Sequence, residues 1–159
     1  MRITSHGRTF DEFKVGEKML LPLMTITEAS VMSWAGLSGD FNPLHVNEEY
    51  AKTTFLGKKV GGRVPHGQFI ASLSVSPIGS LLCGTAIAFL EMSFRFIGPF
   101  GIGDTLYVEV EVIEKKPSTK YPGGTIKFHT ITRNQKGEQV IEGNASFLVS
   151  NENTFKTPY

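Results

Sequence analysis

What the chain lacks narrows it first. It has one cysteine, Cys83, in 159 residues, so no internal disulfide can staple it, and a reducing compartment suits it. It has no surplus of either charge. Sixteen Lys and Arg stand against 15 Asp and Glu, which argues against nucleic acid or an anionic membrane as the main partner. It has no long apolar run: the richest region, about 78–90, is broken by Gly79, Ser80 and Gly84 and is too short to cross a bilayer. Met1 to Lys14 carry charges and no apolar centre, so no secretory signal is expected. Repeats, low-complexity tracts and linkers are absent as well. What is present, 40% hydrophobic and 19% charged residues, predicts a folded single domain over 1–159, cytoplasmic by expectation.

The pattern changes once, near Leu82. Before it, Lys18 to Leu23 reads as a short strand. Thr25-Ile26-Thr27-Glu28 matches a capping box, Thr25 capping and Glu28 reaching back, and opens a helix that Gly39 stops. Asn47 is a good cap for a short helix with Glu48 and Glu49 in its first turn. Gly57 to Arg63 reads as a basic, glycine-containing loop. Val64-Pro65-His66-Gly67 opens a helix through Phe69, Ile70, Leu73 and Val75 toward Leu81, nearly apolar all round and therefore expected to be buried. After Leu82 come four strand-like runs, 85–97, 105–116, 124–133 and 138–150. The second alternates, with Leu106, Val108, Val110 and Val112 on one face. Long antiparallel strands with one buried helix predict an α+β fold, a curved sheet around that helix.

One segment carries chemistry. Ser38-Gly39-Asp40-Phe41-Asn42-Pro43-Leu44-His45 places a carboxylate and an imidazole five residues apart. Gly39 frees the backbone and Pro43 forbids a helix continuing through it, so the segment is expected to be an irregular loop. An acid and a near-neutral base held close together are the minimum equipment for moving a proton.

Leu37 to His45 resembles the signature of the MaoC-like, or (R)-specific enoyl-CoA hydratase, family. Val64-Pro65-His66-Gly67 with its small-residue helix, and Phe94 to Leu106 with its Phe-Ile-Gly-Pro-Phe-Gly-Ile-Gly-Asp-Thr-Leu run, resemble the same family over about 26–150. The resemblance implies a hot-dog fold, a homodimer with thioester sites at the subunit interface, and no cofactor. It also implies reversible addition of water to a trans-2-enoyl thioester, giving the (R)-3-hydroxyacyl product, on coenzyme A or an acyl carrier protein. The family's catalytic pair falls on Asp40 and His45, and its oxyanion-hole amide on Gly67. That amide, at a helix start, is a preorganised donor for developing negative charge. Some relatives carry a serine near Val75 that supports the loop; this chain has valine there, which leaves Ser72 or Ser74 to substitute.

Other residues have plainer readings. Asn42 braces the loop or meets the catalytic water. His66 is placed with the substrate-contacting or supporting residues, with fixing the helix start as its favoured role. Asp40, His45 and His66 lack the usual ligand spacing, so no metal is expected. Lys58, Lys59 and Arg63 either meet coenzyme A phosphates or form a solvated patch. Cys83 reads as a small core residue, and Trp34, Phe55, Phe69 and Phe89 as core or acyl-pocket walls. On the same fold, a thioesterase usually places a carboxylate on the central helix, and no Asp or Glu lies between Gly67 and Leu82. A non-catalytic acyl-thioester-binding subunit has no need of the Asp40–His45 pair.

Overall fold

A computed structural model describes residues 7–153; residues 1–6, part of the stretch read for a secretory signal, and 154–159 lie outside it. Strand β1 (Lys18–Thr25) is followed by four helices, α1 (Glu28–Ser38), α2 (Pro43–Val46), α3 (Glu48–Thr53) and α4 (Phe55–Val60). The long helix α5 (Gly67–Leu81) comes next, then strands β2 (Ala86–Phe96), β3 (Thr105–Pro117), β4 (Gly123–Arg133) and β5 (Gln139–Ser150). The strands form one antiparallel sheet in the order β1-β3-β4-β5-β2, so β1 and β2 are its edges. Helix α5 lies against one face, touching β1, β2, β4 and β5. This is the hot-dog arrangement.

Alternation explains the layering. Val108, Val110 and Val112 of β3 face the same way, opposite Thr132, Thr130 and Phe128 of β4, and Thr130 and Phe128 stand opposite Gly143 and Ala145 of β5. These inward positions are buried, and their apolar side chains meet Val75 and Ile78 of α5 and Leu82 just past its end. Each such aliphatic or aromatic side chain contributes roughly 1.5–3 kcal/mol on burial. Helix α5 buries one side only: Gln68, Ser76, Gly79 and Ser80 are exposed, so it is less enclosed than its composition predicts. A 3-10 turn at Phe10–Glu12, not foreseen in the sequence, tucks Phe10 and Phe13 under the sheet. Phe13 meets Phe128 edge-on, and the Arg8 guanidinium, paired with Glu17, covers the Phe13 ring 4.1 Å from its centre.

The helix starts correct the sequence expectations in three places. Thr27, not Thr25, caps α1, and Ser30, not Glu28, completes the box. Thr25 is still strand, its hydroxyl bonded to Thr105, and Glu28 is taken by Arg63. No helix runs through Pro43, as expected, but the segment from Pro43 to Val46 is a new helical turn and not irregular loop: at the first helical position the missing N–H of Pro43 costs nothing, and Asn42 caps it. The basic loop at 57–63 is helix α4 as far as Val60, capped by Thr54 and ended by Gly61 at φ +85°.

Candidate active site

Helix α1 delivers the acid. It ends at Gly39, whose φ of +77° turns the chain sharply while its N–H still bonds Ala35. Asp40 follows at once, and its Oδ1 accepts the Asn42 N–H at 3.1 Å, a local turn that aims the carboxylate. Asn42 then accepts the Leu44 N–H, starting α2, and α2 carries His45. The Asn42 cap, with the Asn47 N–H closing the turn on the Pro43 carbonyl, thus sets where the imidazole sits relative to the carboxylate.

Asp40 Oδ2 lies 3.8 Å from His45 Nε2. That is too long for a direct hydrogen bond and short enough for one water or substrate oxygen to touch both. The His45 side chain is 13% exposed and Asp40's is 42%, so the pair stands at a rim with the imidazole inside. His45 Nδ1 approaches the Val64 carbonyl at 2.6 Å. A carbonyl only accepts, so Nδ1 carries the hydrogen, and in the neutral ring Nε2 holds the lone pair facing Asp40.

His66 is buried against this pair. Its ring stacks on His45 with centres 3.9 Å apart, and its Nε2–H donates to the Asp40 main-chain carbonyl at 2.9 Å. It occupies the cap position of α5 but makes no side-chain cap bond, so fixing the helix start is not what its ring does. Asp40, His45 and His66 are the one group of acids, histidines and cysteines among the described residues whose donor atoms, within 4.8 Å, can share an ion.

The MaoC like domain family model matches residues 12–144. The chain belongs to the MaoC-like domain family. It is 36% identical over 140 residues to the (R)-specific enoyl-CoA hydratase of Rhodospirillum rubrum, spanning 88% of this chain and 90% of that one. Over 111 residues it is 32% identical to the 3-hydroxybutyryl-CoA dehydratase of Methylorubrum extorquens, spanning 70% and 68%. Among solved structures, the unliganded R-hydratase PhaJ1 from Pseudomonas aeruginosa matches with a TM-score of 0.78 at 32% identity, over 92% of this chain and 88% of that one.

In this MaoC-like domain Gly67 is the first residue of α5, where a helix leaves its N–H without an intrahelical partner. A side chain at Gly67 would meet the Phe96 ring at about 3.0 Å, so the glycine lets that ring lie against the helix start. Phe96 and Val64 also wall an adjoining pocket with Leu56, Val60 and Phe100, and Lys59 lies on its lining. Lys58 is not part of that lining. Arg63 is not free for phosphate: only 12% exposed, it binds Glu28 at 2.6 Å and Glu48 at 3.3 Å, tying α1 to α3. Lys52 first, then the Arg63 N–H groups, hold the Glu48 carboxyl below the ordinary carboxylate value.

The helix serines bond their own helix and, at Ser74, the sheet. Ser72 donates to the Gln68 carbonyl, and Ser74 donates to Ile70 and accepts from Thr132. Val75 is core, so serine support of the loop has no counterpart at that position. Cys83 is exposed in the turn after α5, not a core residue. Trp34 packs on Phe69 in the core, whereas Phe55 is 78% exposed and Phe89, 51% exposed, only stacks one face on core Phe147. Sequence reasoning missed two partners of the site, the Val64 carbonyl and the Phe96 ring. A main-chain carbonyl has no residue-type signature; Phe96 had one, in the run of aromatics bounded by Gly98.

Proposed function

We propose that this protein catalyses the reversible hydration of trans-2-enoyl-CoA thioesters to (R)-3-hydroxyacyl-CoA thioesters. The observation that carries the reading is the Asp40–His45 geometry, with Nε2 as the His45 ring nitrogen not bonded to the main chain and the carboxylate 3.8 Å away. A water held between them loses a proton to Nε2 as its oxygen bonds C3 of the enoyl group. The π electrons move to C2 and the thioester oxygen, and the Gly67 N–H stabilises the developing negative charge there. Nε2 then returns the same proton to C2 on the same face, giving net syn addition of water with both groups restored. Asp40 orients the water and stabilises the imidazolium between the two steps. Asn42 holds the loop. The relatives named as an enoyl-CoA hydratase and a hydroxyacyl-CoA dehydratase support this chemistry and coenzyme A as carrier. The absence of any carboxylate from α5 disfavours the thioesterase reading.

The reading extends to a single cytoplasmic domain over 1–159, acting as a homodimer without a cofactor. Strand β2 supports the dimer: it is an edge strand, and Ile87, Phe89, Leu90, Met92 and Phe96 on it are each about half exposed. Among the described residues no helix is long and apolar enough to cross a membrane. The test is the loss of enoyl absorbance from crotonyl-CoA with a free-thiol assay in parallel. Absorbance loss without thiol release supports hydration; thiol release, or no change in either, refutes it for this substrate class.

A further inference from the structure

We propose that His66 is a positioning residue for the Asp40–His45 pair, holding the main chain at Asp40 through its Nε2–H and the plane of His45 through its ring. This rests on the reading of that pair as the proton-handling groups. Three observations lead to it.

The first is how the two segments are joined. The loop sends His45 Nδ1–H to the Val64 carbonyl at 2.6 Å, and the helix-start segment sends His66 Nε2–H back to the Asp40 carbonyl at 2.9 Å. The Val64 N–H bonds the Leu44 carbonyl between them at 3.1 Å. Each histidine is therefore anchored on the segment that carries the other, and the stacked rings, 3.9 Å apart, form one unit.

The second is what His66 does not do. It is 1% exposed, makes no cap bond to α5, and its Nδ1 has no partner among the described residues. An unpaired buried acceptor weakens a fold, and phenylalanine of nearly the same shape would avoid that. The residue type thus answers to the Nε2–H contact with Asp40.

The third is the lever at Gly39. With φ at +77°, the chain swivels there out of α1, and the Asp40 carbonyl lies just past the swivel. The Ser38 hydroxyl holds the Asp40 N–H at 3.2 Å; His66 holds the other side of the same residue. Freed there, the carboxylate would drift relative to Nε2, and displacements near 1 Å can cost about a hundredfold in rate.

Two variants separate the two contacts. His66→Phe keeps an aromatic face and loses the donor; His66→Gln keeps an amide N–H near the Nε2 position and loses the ring. With crotonyl-CoA, His66→Phe is expected to lower kcat by about 10- to 100-fold while leaving KM nearly unchanged, and His66→Gln to recover most of that loss. Long-range ¹H–¹⁵N spectra of the wild type should show hydrogen on Nε2 of His66 and on Nδ1 of His45. Wild-type kcat in His66→Phe, a Gln variant no faster than the Phe variant, or hydrogen on Nδ1 of His66 would each overturn the proposal. If His66→Phe does not fold, the Gln variant and the wild-type tautomers decide. If the wild type does not hydrate crotonyl-CoA, the functional reading fails, and the tautomers still decide whether His66 braces the loop.

Discussion

Asp40→Asn removes a charge and almost nothing else. The amide is isosteric, and its oxygen can keep the 3.1 Å bond from the Asn42 N–H, so the turn and the placement of α2 survive. What disappears is the negative charge 3.8 Å from His45 Nε2, which matters most when that nitrogen has taken a proton. Two unit charges about 4 Å apart attract by about 1 kcal/mol in water and about 4 kcal/mol at the effective dielectric of a protein surface. The Asp40 side chain is 42% exposed and His45's only 13%, so the contribution falls between these limits. A loss of about 2–3 kcal/mol corresponds to a drop of about 30- to 150-fold in kcat. The assay is steady-state loss of enoyl absorbance from crotonyl-CoA, run on Asp40→Asn, His45→Ala and the double variant. Because Asp40 acts on the water and the imidazolium that His45 itself serves, the double variant should be little slower than the slower single one. The melting temperature should change little, since Asp40 contributes no apolar burial. An Asp40→Asn enzyme within about threefold of wild type, or losses that simply multiply in the double variant, would refute a mechanism in which Asp40 works through His45.

Three further outcomes follow from other parts of the structure. Gly67→Ala and Gly67→Pro both push the Phe96 ring, but only proline removes the N–H, and proline suits the first helical position. Turnover of the proline variant should be about 10²- to 10³-fold below that of the alanine variant, and equal rates would remove Gly67 from the oxyanion role. The Arg8 guanidinium, chiefly by its hydrogen bond, holds the Glu17 carboxyl below its ordinary value near 4.5. That lowered value contributes stability at neutral pH that fades as pH falls below about 4.5, so Glu17→Gln should show a smaller acid-induced fall in melting temperature than wild type. In Gly143→Ala the new methyl meets the Phe94 ring and the Ser93 carbonyl across the β5–β2 pair, and denaturant unfolding should register a loss of about 1–3 kcal/mol.

The sheet was legible because its signal is redundant. In β3 every second residue from Leu106 to Val112 is aliphatic, and no other arrangement of that run buries all four. The site segment was legible for the opposite reason, in that Gly39 and Pro43 punctuate a stretch too short to be regular, with Asp40 just after the glycine and His45 two residues past the proline. Where two readings differ by a few residues, the sequence did not decide. Thr25 and Thr27 are equally good caps in isolation, and only the extension of β1 to Thr25 chooses between them. Lys58, Lys59 and Arg63 look alike as basic residues, yet one lines a pocket and another is enclosed by Glu28 and Glu48, a distinction set by partners far away in the chain. The Phe10 and Phe13 turn was missed because a three-residue element has no period to read.

The anchor of His45 is the carbonyl of Val64, while the Val64 side chain walls the neighbouring pocket. Main chain and side chain of one residue therefore answer to different demands. Exchanging Val64 for another aliphatic residue is expected to alter the volume of the pocket and leave the imidazole's support in place. Leu56 and Val60 on α4 line the same pocket, whose lining does not include Asp40 or His45. Under the proposed function, with the acyl group in this pocket, substrate range is expected to drift one wall residue at a time while the chemistry at His45 stays constant.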